Sequence, residues 1–264
     1  MQIFVFNLDG SSQRMAEMGQ RLKRLNLAFE REPAVNGAKL SADQLHKFYQ
    51  PLLNRKYYRR PLSAGEIGCY LSHRNCWQRI KEQQFNHALI LEDDAELDDR
   101  LPSVLASIAQ IAEPWDIIKL CDPPKKKTIL DSVTIASVAK DSGTADGDFK
   151  LCLYNKVPSR ATGYVVSAAG AIKLLKAREK FARPIDDDLQ FYWEYSGNVF
   201  GIEPSPVWNA QSSLQSDIDN AGNRKCRTSL LRQLKGVLMK IRYELLRIKY
   251  NRLRKVDLSS YGNP

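Results

Sequence analysis

Long apolar runs are missing from this chain. None of its 264 residues belongs to an uninterrupted apolar stretch of about 18, which excludes a transmembrane helix. Histidine is scarce, with His46, His73 and His87 alone. The five cysteines (Cys69, Cys76, Cys121, Cys152, Cys226) contain no C-x-x-C pair, so zinc-type Cys/His spacing is absent. An odd, scattered set of thiols suits a reducing cytosol, with the cysteines acting as small buried hydrophobes. No G-x-G-x-x-G is present, so dinucleotide binding has no support. No internal repeat or long low-complexity segment breaks the chain. The stretch Met1 to Asn7 has no basic start and no cleavage site, and reads as a strand rather than a signal peptide.

A charge excess is also missing from most of the chain. The net charge is +10, from 40 Lys/Arg and 30 Asp/Glu. Residues 224 to 264 hold 12 of the basic and two of the acidic residues, Glu244 and Asp257. That leaves 28 of each sign elsewhere, so the body is neutral and the whole excess sits in the tail. A nucleic-acid-binding body is therefore not implied.

What is present is organised around Ala88 to Leu97, A-L-I-L-E-D-D-A-E-L. The apolar run 88 to 91 fits a strand covered on both faces. Three carboxylates follow at its end, Glu92, Asp93 and Asp94, where ligands bind in open α/β sheets. If the strand geometry persists, Glu92 and Asp94 share one side and Asp93 takes the other. Carboxylates aimed at one point repel unless a cation lies between them, and a hard divalent ion (Mg²⁺ or Mn²⁺) suits oxygen ligands. The bland alternative is an acidic turn.

Around this centre the elements alternate. Ile3 to Leu8 is a strand, and Gly10 with Ser11 and Ser12 gives a turn and cap before a helix carrying Met15, Met18, Leu22 and Leu25. Ala28 to Gly37 reads as a strand and turn, and Ser41 caps a helix that precedes a basic loop, Asn54 to Pro61. Ser63 opens a helix running to Lys81, with small residues Ala64, Gly65 and Gly68 permitting close approach. His73 on that helix is a base or phosphate partner or, the preferred reading, a hydrogen-bonded helix histidine. Leu101 to Ala112 is a helix, and Asp116 to Leu120 a strand. Tyr164 to Val166 is a strand before a helix capped by Ser167. Pro184-Ile185-Asp186-Asp187-Asp188 is a second acidic cluster. It is either an N-terminal first turn or the home of a general base. Val199 to Ile202 is a last strand, and Pro204 to Asp217 is irregular. From Ser229 on, apolar residues at 230, 231, 234, 237, 238, 241, 245 and 248 share one helical arc, with Lys and Arg on its flanks. Residues 229 to 255 thus read as a basic amphipathic helix of the kind that lies on an anionic membrane surface. Val256 to Pro264 reads as disordered.

Taken together, V-F-N-L-D with Arg14, P-A-V-N-G, L-S-A-G-E-I-G-C-Y-L-S-H-R-N-C-W, A-L-I-L-E-D-D-A-E-L, T-G-Y-V-V-S-A-A-G-A-I-K-L-L, P-I-D-D-D and Q-S-D-I resemble glycosyltransferase family 25. That family comprises the bacterial lipooligosaccharide galactosyltransferases and their collagen-modifying relatives. The resemblance runs over roughly residues 1 to 220. It implies a GT-A-like α/β fold with a Rossmann-like mixed sheet in a catalytic domain of residues 1–223, followed by a helical tail of residues 224–264. It implies a UDP-sugar donor and a D-x-D-like metal motif in Glu92-Asp93-Asp94, with Asp94 and then Glu92 as the first ligands. Glu92 departs from a strict D-x-D. An inverting reaction needs an acid opposite the leaving diphosphate. Asp186 matches the family's P-[VI]-D aspartate, and Asp188 is the alternative base. On the donor side the resemblance points to Asn7, Leu8, Asp9 and Arg14, to Gly37, Gly65, Glu66 and His73, and to Gln211 and Asp217 in a late closing segment.

The function expected is inverting transfer of a hexose, galactose first, from a UDP-sugar to a lipid-linked lipooligosaccharide or lipopolysaccharide core acceptor. The enzyme would need Mn²⁺ or Mg²⁺ and would be peripheral on the cytoplasmic face of the inner membrane. The competing readings are a nucleic-acid-binding protein using the tail and a nucleotide-sugar-binding scaffold without catalysis.

Overall fold

The apolar residues that start the chain divide between two faces of a sheet. In the computed structural model, which describes residues 1–112, 114–121, 129–136, 148–209 and 230–253, strand β1 (Gln2–Asn7) sends Phe4 and Phe6 to one side and Ile3 and Val5 to the other. This is the two-residue period of a strand. Helix α1 (Ser12–Arg24), strand β2 (Glu30–Pro33) and helices α2 (Ala42–Phe48) and α3 (Pro51–Tyr57) follow. Then come α4 (Ala64–Glu82), β3 (His87–Glu92), β4 (Ala95–Leu97), α5 (Leu101–Gln110), β5 (Ile117–Lys119), β6 (Ile129–Ala136) and β7 (Phe149–Tyr154). The described chain continues through β8 (Gly163–Ser167), α6 (Ala168–Ala177), α7 (Ile185–Asp188), β9 (Val199–Glu203), β10 (Val207–Asn209) and α8 (Leu230–Leu253).

Eight strands form one mixed sheet in the order β2-β1-β3-β8-β5-β9-β7-β6. β1 runs parallel to β2 and β3, whereas β8 is antiparallel to both β3 and β5. β4 and β10 form a separate antiparallel pair. α4, α6 and α7 cover one face, with Trp77, Tyr70, Ile90 and Tyr164 fully buried; α1 and α5 cover the other, with Met18, Leu89 and Val104. The result is the expected α/β fold of GT-A-like type. β3 lies between the parallel and the antiparallel parts, so its carboxyl end and that of β1 open at one edge.

Local sequence fixes several boundaries. Ser63 and Glu66 form a reciprocal capping box on α4, Ser41 and Gln44 do the same on α2, and the Ser167 hydroxyl accepts from the Gly170 amide at the start of α6. Each such cap contributes about 1 kcal/mol. Three expectations change. Asn54 to Tyr57, read as part of a basic loop, closes helix α3, which starts with Pro51 at the position where proline suits a helix. Phe149–Tyr154, unassigned in the sequence, is a strand paired with β6 and β9. The run after Pro204, read as irregular, contains β10, held by Trp208 opposite Glu96 and Val207 opposite Leu97.

α8 packs on the body with its aromatic and amide face. Trp193 stacks on Tyr250, with ring centres 5.6 Å apart, and Phe191 meets Tyr243 edge-on. Asn251 accepts from the Tyr192 hydroxyl at 2.6 Å and donates to the Asn155 carbonyl at 2.6 Å. Glu244 pairs with Lys156. The aliphatic arc points the other way: Leu234, Ile241, Leu245 and Ile248 are exposed. The disordered reading of 256–264 lies outside the described residues.

Candidate active site

β1 and β3 are parallel neighbours with Phe6 opposite Glu92, so Asn7 and the acidic run leave the sheet side by side. After Glu92 the strand gives way to a two-residue turn, Asp93-Asp94, before β4. Asp93 turns toward β1. The Asn7 amide donates to its carboxylate at 2.6 Å, and Arg14 on α1 approaches at 3.7 Å. Asn7 in turn accepts from Arg31, which also pairs with Asp9. A pocket of about 330 Å³ opens here, lined by Asn7, Asp9, Ser12, Met15, Ala16 and Arg31. The Ser11 side chain does not cap α1, whose first turn has no acid. Amides at an uncapped helix start favour anions.

Glu92 faces α4. Its Oε1 is 3.9 Å from the Cys69 thiol and 4.0 Å from His73 Nε2. Burial pushes the Glu92 carboxyl well above the usual range, and the charges of Asp186 and Asp94 push it further, against a hydrogen bond with Thr162. The same three acids, with burial first, raise the Cys69 thiol. Asp94 and Asp186 therefore both act electrostatically on Glu92 and on Cys69, although Asp186 comes from α7, far along the chain. Like charges gathered this way suit a cation between them, and the carboxylate oxygens of Glu92 and Asp94 suit a hard one. Cys69, His73 and Glu92 also present S, N and O atoms within 4.8 Å of one another.

The two candidate bases separate cleanly. Asp186 is exposed. Asp188 is 3% exposed and receives Arg178 at 2.6 Å, Arg183 at 2.8 Å and the Tyr70 hydroxyl at 2.6 Å. Burial would raise its carboxyl, but the two guanidiniums outweigh burial and hold it below the ordinary carboxylate value. Asp188 is thus buried and engaged by three donors, an ion-pair centre of the fold, whereas Asp186 is open to solvent.

Other donor-side candidates also make contacts that hold the fold. The Glu66 carboxylate closes the α4 capping box and takes a two-pronged ion pair from Arg60. Gly37 packs against the start of α4, where a Cβ would overlap the Ala64 carbonyl, and Gly68 presses back against Val35 and Gly37. His73 is fully buried. Trp77 donates to the Tyr164 hydroxyl at 2.8 Å, leaving that hydroxyl to donate to His73 Nδ1 at 3.0 Å. Nε2, which has no hydrogen-bond partner, then faces Glu92. Burial first, then the charge of Lys119, pushes the His73 pKa down to about 3, so the ring is neutral. It lies buried beneath the acidic turn, with Nε2 4.0 Å from Glu92 Oε1. Gly65 is half-buried in the first turn of α4, and Leu8 receives the Ser11 amide on its carbonyl. Gln211 and Asp217 lie outside the described residues. Sequence reasoning passed over Arg31 and Thr162. Thr162 stood inside the T-G-Y-V-V-S block, at the start of the strand beside β3; Arg31 had no local signal, since β2 pairs with β1 only in three dimensions.

The model of glycosyltransferase family 25 (LPS biosynthesis protein) matches residues 1–189. The chain is 30% identical over 217 residues to a glycosyltransferase 25 family member of Drosophila pseudoobscura pseudoobscura, covering 79% of this chain and 31% of that one. It is 27% identical to procollagen galactosyltransferase 1 of Danio rerio over 86% of this chain and 42% of the relative. It is 26% identical to procollagen galactosyltransferase 2 of Homo sapiens over 71% of this chain and 29% of that one. The chain thus spans less than half the length of these relatives. The family match over residues 1–189 takes in both acidic clusters, Glu92-Asp93-Asp94 and Asp186-Asp187-Asp188, and the protein belongs to glycosyltransferase family 25.

Proposed function

We propose that this chain transfers galactose from UDP-galactose, with inversion, to a sugar hydroxyl of a lipid-linked oligosaccharide of the lipopolysaccharide core type. The observation that carries the reading is the acidic turn after β3, where Asp94 and the distant Asp186 both act on Glu92 and Asp93 is held by Asn7 of the neighbouring pocket. The galactosyltransferase relatives support the sugar. Asp94 and Glu92 would hold a divalent cation, Mn²⁺ or Mg²⁺, whose chemistry is to neutralise a departing diphosphate. The α1 amides, Arg14 and Arg31 offer further positive potential to the donor phosphates. Asp186, exposed at the rim, takes the proton of the attacking acceptor hydroxyl. The acceptor oxygen forms its bond to the anomeric carbon as the bond to UDP breaks, so one displacement inverts that carbon and needs no covalent enzyme–sugar species.

Calorimetric titration of UDP, UDP-galactose and UDP-glucose, each with Mn²⁺ and with EDTA, tests this. UDP binding that needs the cation and favours the galactosyl nucleotide is the expected result. Failure of every uridine nucleotide to bind the folded protein overturns it.

The acceptor's lipid is argued from α8. With the aromatic face docked, the exposed stripe of Leu234, Ile241, Leu245 and Ile248 faces outward, flanked by exposed Lys240, Arg242 and Lys249. An aliphatic stripe bordered by cations suits an anionic leaflet, each cation adding about 1 kcal/mol. This favours a peripheral enzyme on the cytoplasmic face of an inner membrane. Co-sedimentation with anionic vesicles is expected to weaken about tenfold for each aliphatic side chain lost in the pair Ile241→Ser and Leu245→Ser. Unchanged recovery of the double variant would count against membrane docking.

A further inference from the structure

Between α8 and the body lies a second pocket, of about 250 Å³, away from the one beside Asn7. Its wall on the body side includes Lys56 and Tyr57 of α3 with Arg183 and Phe191; its other wall is α8, through Lys235, Arg242 and Tyr243 among others. We propose that this pocket is the acceptor subsite and that it takes an acidic sugar, one hexose ring bearing a phosphate or carboxylate. The proposal rests on the transferase reading for the word acceptor, but not for the ligand chemistry.

Charge is the first argument. Glu194 also lines the pocket, but its carboxylate is taken by Arg183 at 2.8 Å and by Arg178 at 2.9 Å, and Arg183 is further paired with Asp188 at 2.8 Å, so these two wall residues offset each other. Lys56, Lys235 and Arg242 are different: none of the three pairs with a carboxylate among the described residues. Lys56 and Arg242 instead both lie over the Tyr57 ring, at 5.1 and 5.5 Å from its centre, and Lys235 donates to the Arg55 carbonyl. Three cations gathered round one cavity from two separate elements repel one another, and an anion between them relieves that repulsion. Shape and lining are the second argument. Tyr57, Phe191 and Tyr243 line the cavity with apolar rings, Phe191 with the Arg183 guanidinium over one face at 3.7 Å, and such rings with a few convergent charges make a small-molecule site. The volume falls below the roughly 300–1,000 Å³ of drug-sized sites and suits one ring.

Position is the third argument. Arg183 is three residues before Asp186, and Tyr58, next to Tyr57, donates to Asp187 at 3.1 Å. Both parts of the body-side wall are thus tied to the short helix that carries the proposed base. Leu238 belongs to the pocket wall and is also exposed within the aliphatic arc of α8, so the cavity borders the surface assigned to lipid. α8 then does two jobs, and the tail is part of the substrate site rather than an anchor alone.

The test uses the full chain, in solution and without lipid. Saturation-transfer NMR and calorimetry are run with glucose 6-phosphate, glucuronate, glucose and inorganic phosphate, and UDP with Mn²⁺ is titrated into the same samples. The expected result is binding of an acidic sugar about tenfold or more tighter than of glucose or of inorganic phosphate. Preference for glucose 6-phosphate assigns a phosphate, and preference for glucuronate a carboxylate. Lys235→Glu with Arg242→Glu should lose that binding about tenfold while UDP binding stays unchanged; Lys249→Glu, off the pocket, should lose nothing. Lys56→Glu on the opposite wall should reproduce the loss, which covers the case in which the double variant releases α8. Equal binding of glucose, equal binding of bare phosphate, or no effect of Lys56→Glu overturns the proposal. If acidic sugars bind but UDP does not, the pocket stands and the transferase reading falls; the converse leaves the transferase without this subsite.

Discussion

Asp186→Asn is expected to slow sugar transfer about 10²–10⁴-fold, the usual contribution of a positioned general base, while leaving the fold untouched. The side chain is exposed, and surface substitutions outside special environments stay within about 0.5 kcal/mol. Asparagine keeps the shape and removes the basic oxygen. It also removes one of the two main charges that push the Glu92 carboxyl upward, which eases Glu92 ionisation while weakening the field on the cation; these effects oppose each other, so UDP binding should change little. The loss must therefore fall on kcat. Measuring kcat with saturating donor, beside UDP affinity and thermal unfolding of the same sample, separates the outcomes. A variant that keeps more than about a tenth of the wild-type kcat removes Asp186 from the role. A variant that loses kcat and UDP binding together would make Asp186 part of the donor site instead.

Much of the scaffold around that residue was legible in the chain, because its signals are local. The apolar run 88–91 becomes β3, and Ser41, Ser63 and Ser167 cap the helices they announce. What stayed hidden depends on partners distant in sequence. Phe149–Tyr154 is a strand because β6 and β9 flank it, and β10 exists through its pairing with residues 95–97. The site divides the same way. The two acidic runs stood out in the sequence and the family resemblance singled out Asp186, but the effect of Asp186 on Glu92 joins residues 92 and 186 across the fold. The tail's aliphatic arc was visible; that Tyr243, Tyr250 and Asn251 would dock the opposite face was not, since their partners Asn155, Tyr192 and Trp193 belong to other elements. Asp186 and Asp188 could not be told apart by composition. Residues two apart on a helix point to different sides, so one faces out and the other in. The choice is made by Ile185 and Leu189, which are buried and turn Asp188 inward with them.

That inward turn makes Asp188 the position where a one-atom change should harm stability most. Arg178 and Arg183, both nearly buried, are balanced by Asp188 and Glu194: two guanidiniums and two carboxylates. Asp188→Asn leaves a net positive charge in that enclosure and replaces one of two accepting oxygens by an NH2 that faces donors, whether Tyr70 and Arg178 on one oxygen or Arg183 on the other. Removing one partner of a buried ion pair destabilises by about 3–5 kcal/mol, and the remaining carboxylate, Glu194, is partly exposed and already engaged by both arginines. Urea unfolding at neutral pH should show the full difference. The sign of its pH dependence follows from the direction of the shift. The folded carboxyl sits below its ordinary value of 3.8, so the unfolded chain takes up the proton first as pH falls. The stabilisation is complete above the unfolded value and is lost as pH drops through the folded one, so the gap between wild type and Asp188→Asn should narrow in acid and not in base. A gap below about 1 kcal/mol at neutral pH would mean that the arginines find other partners. A gap that persists unchanged through the acid range would mean that asparagine fails through packing and not through charge.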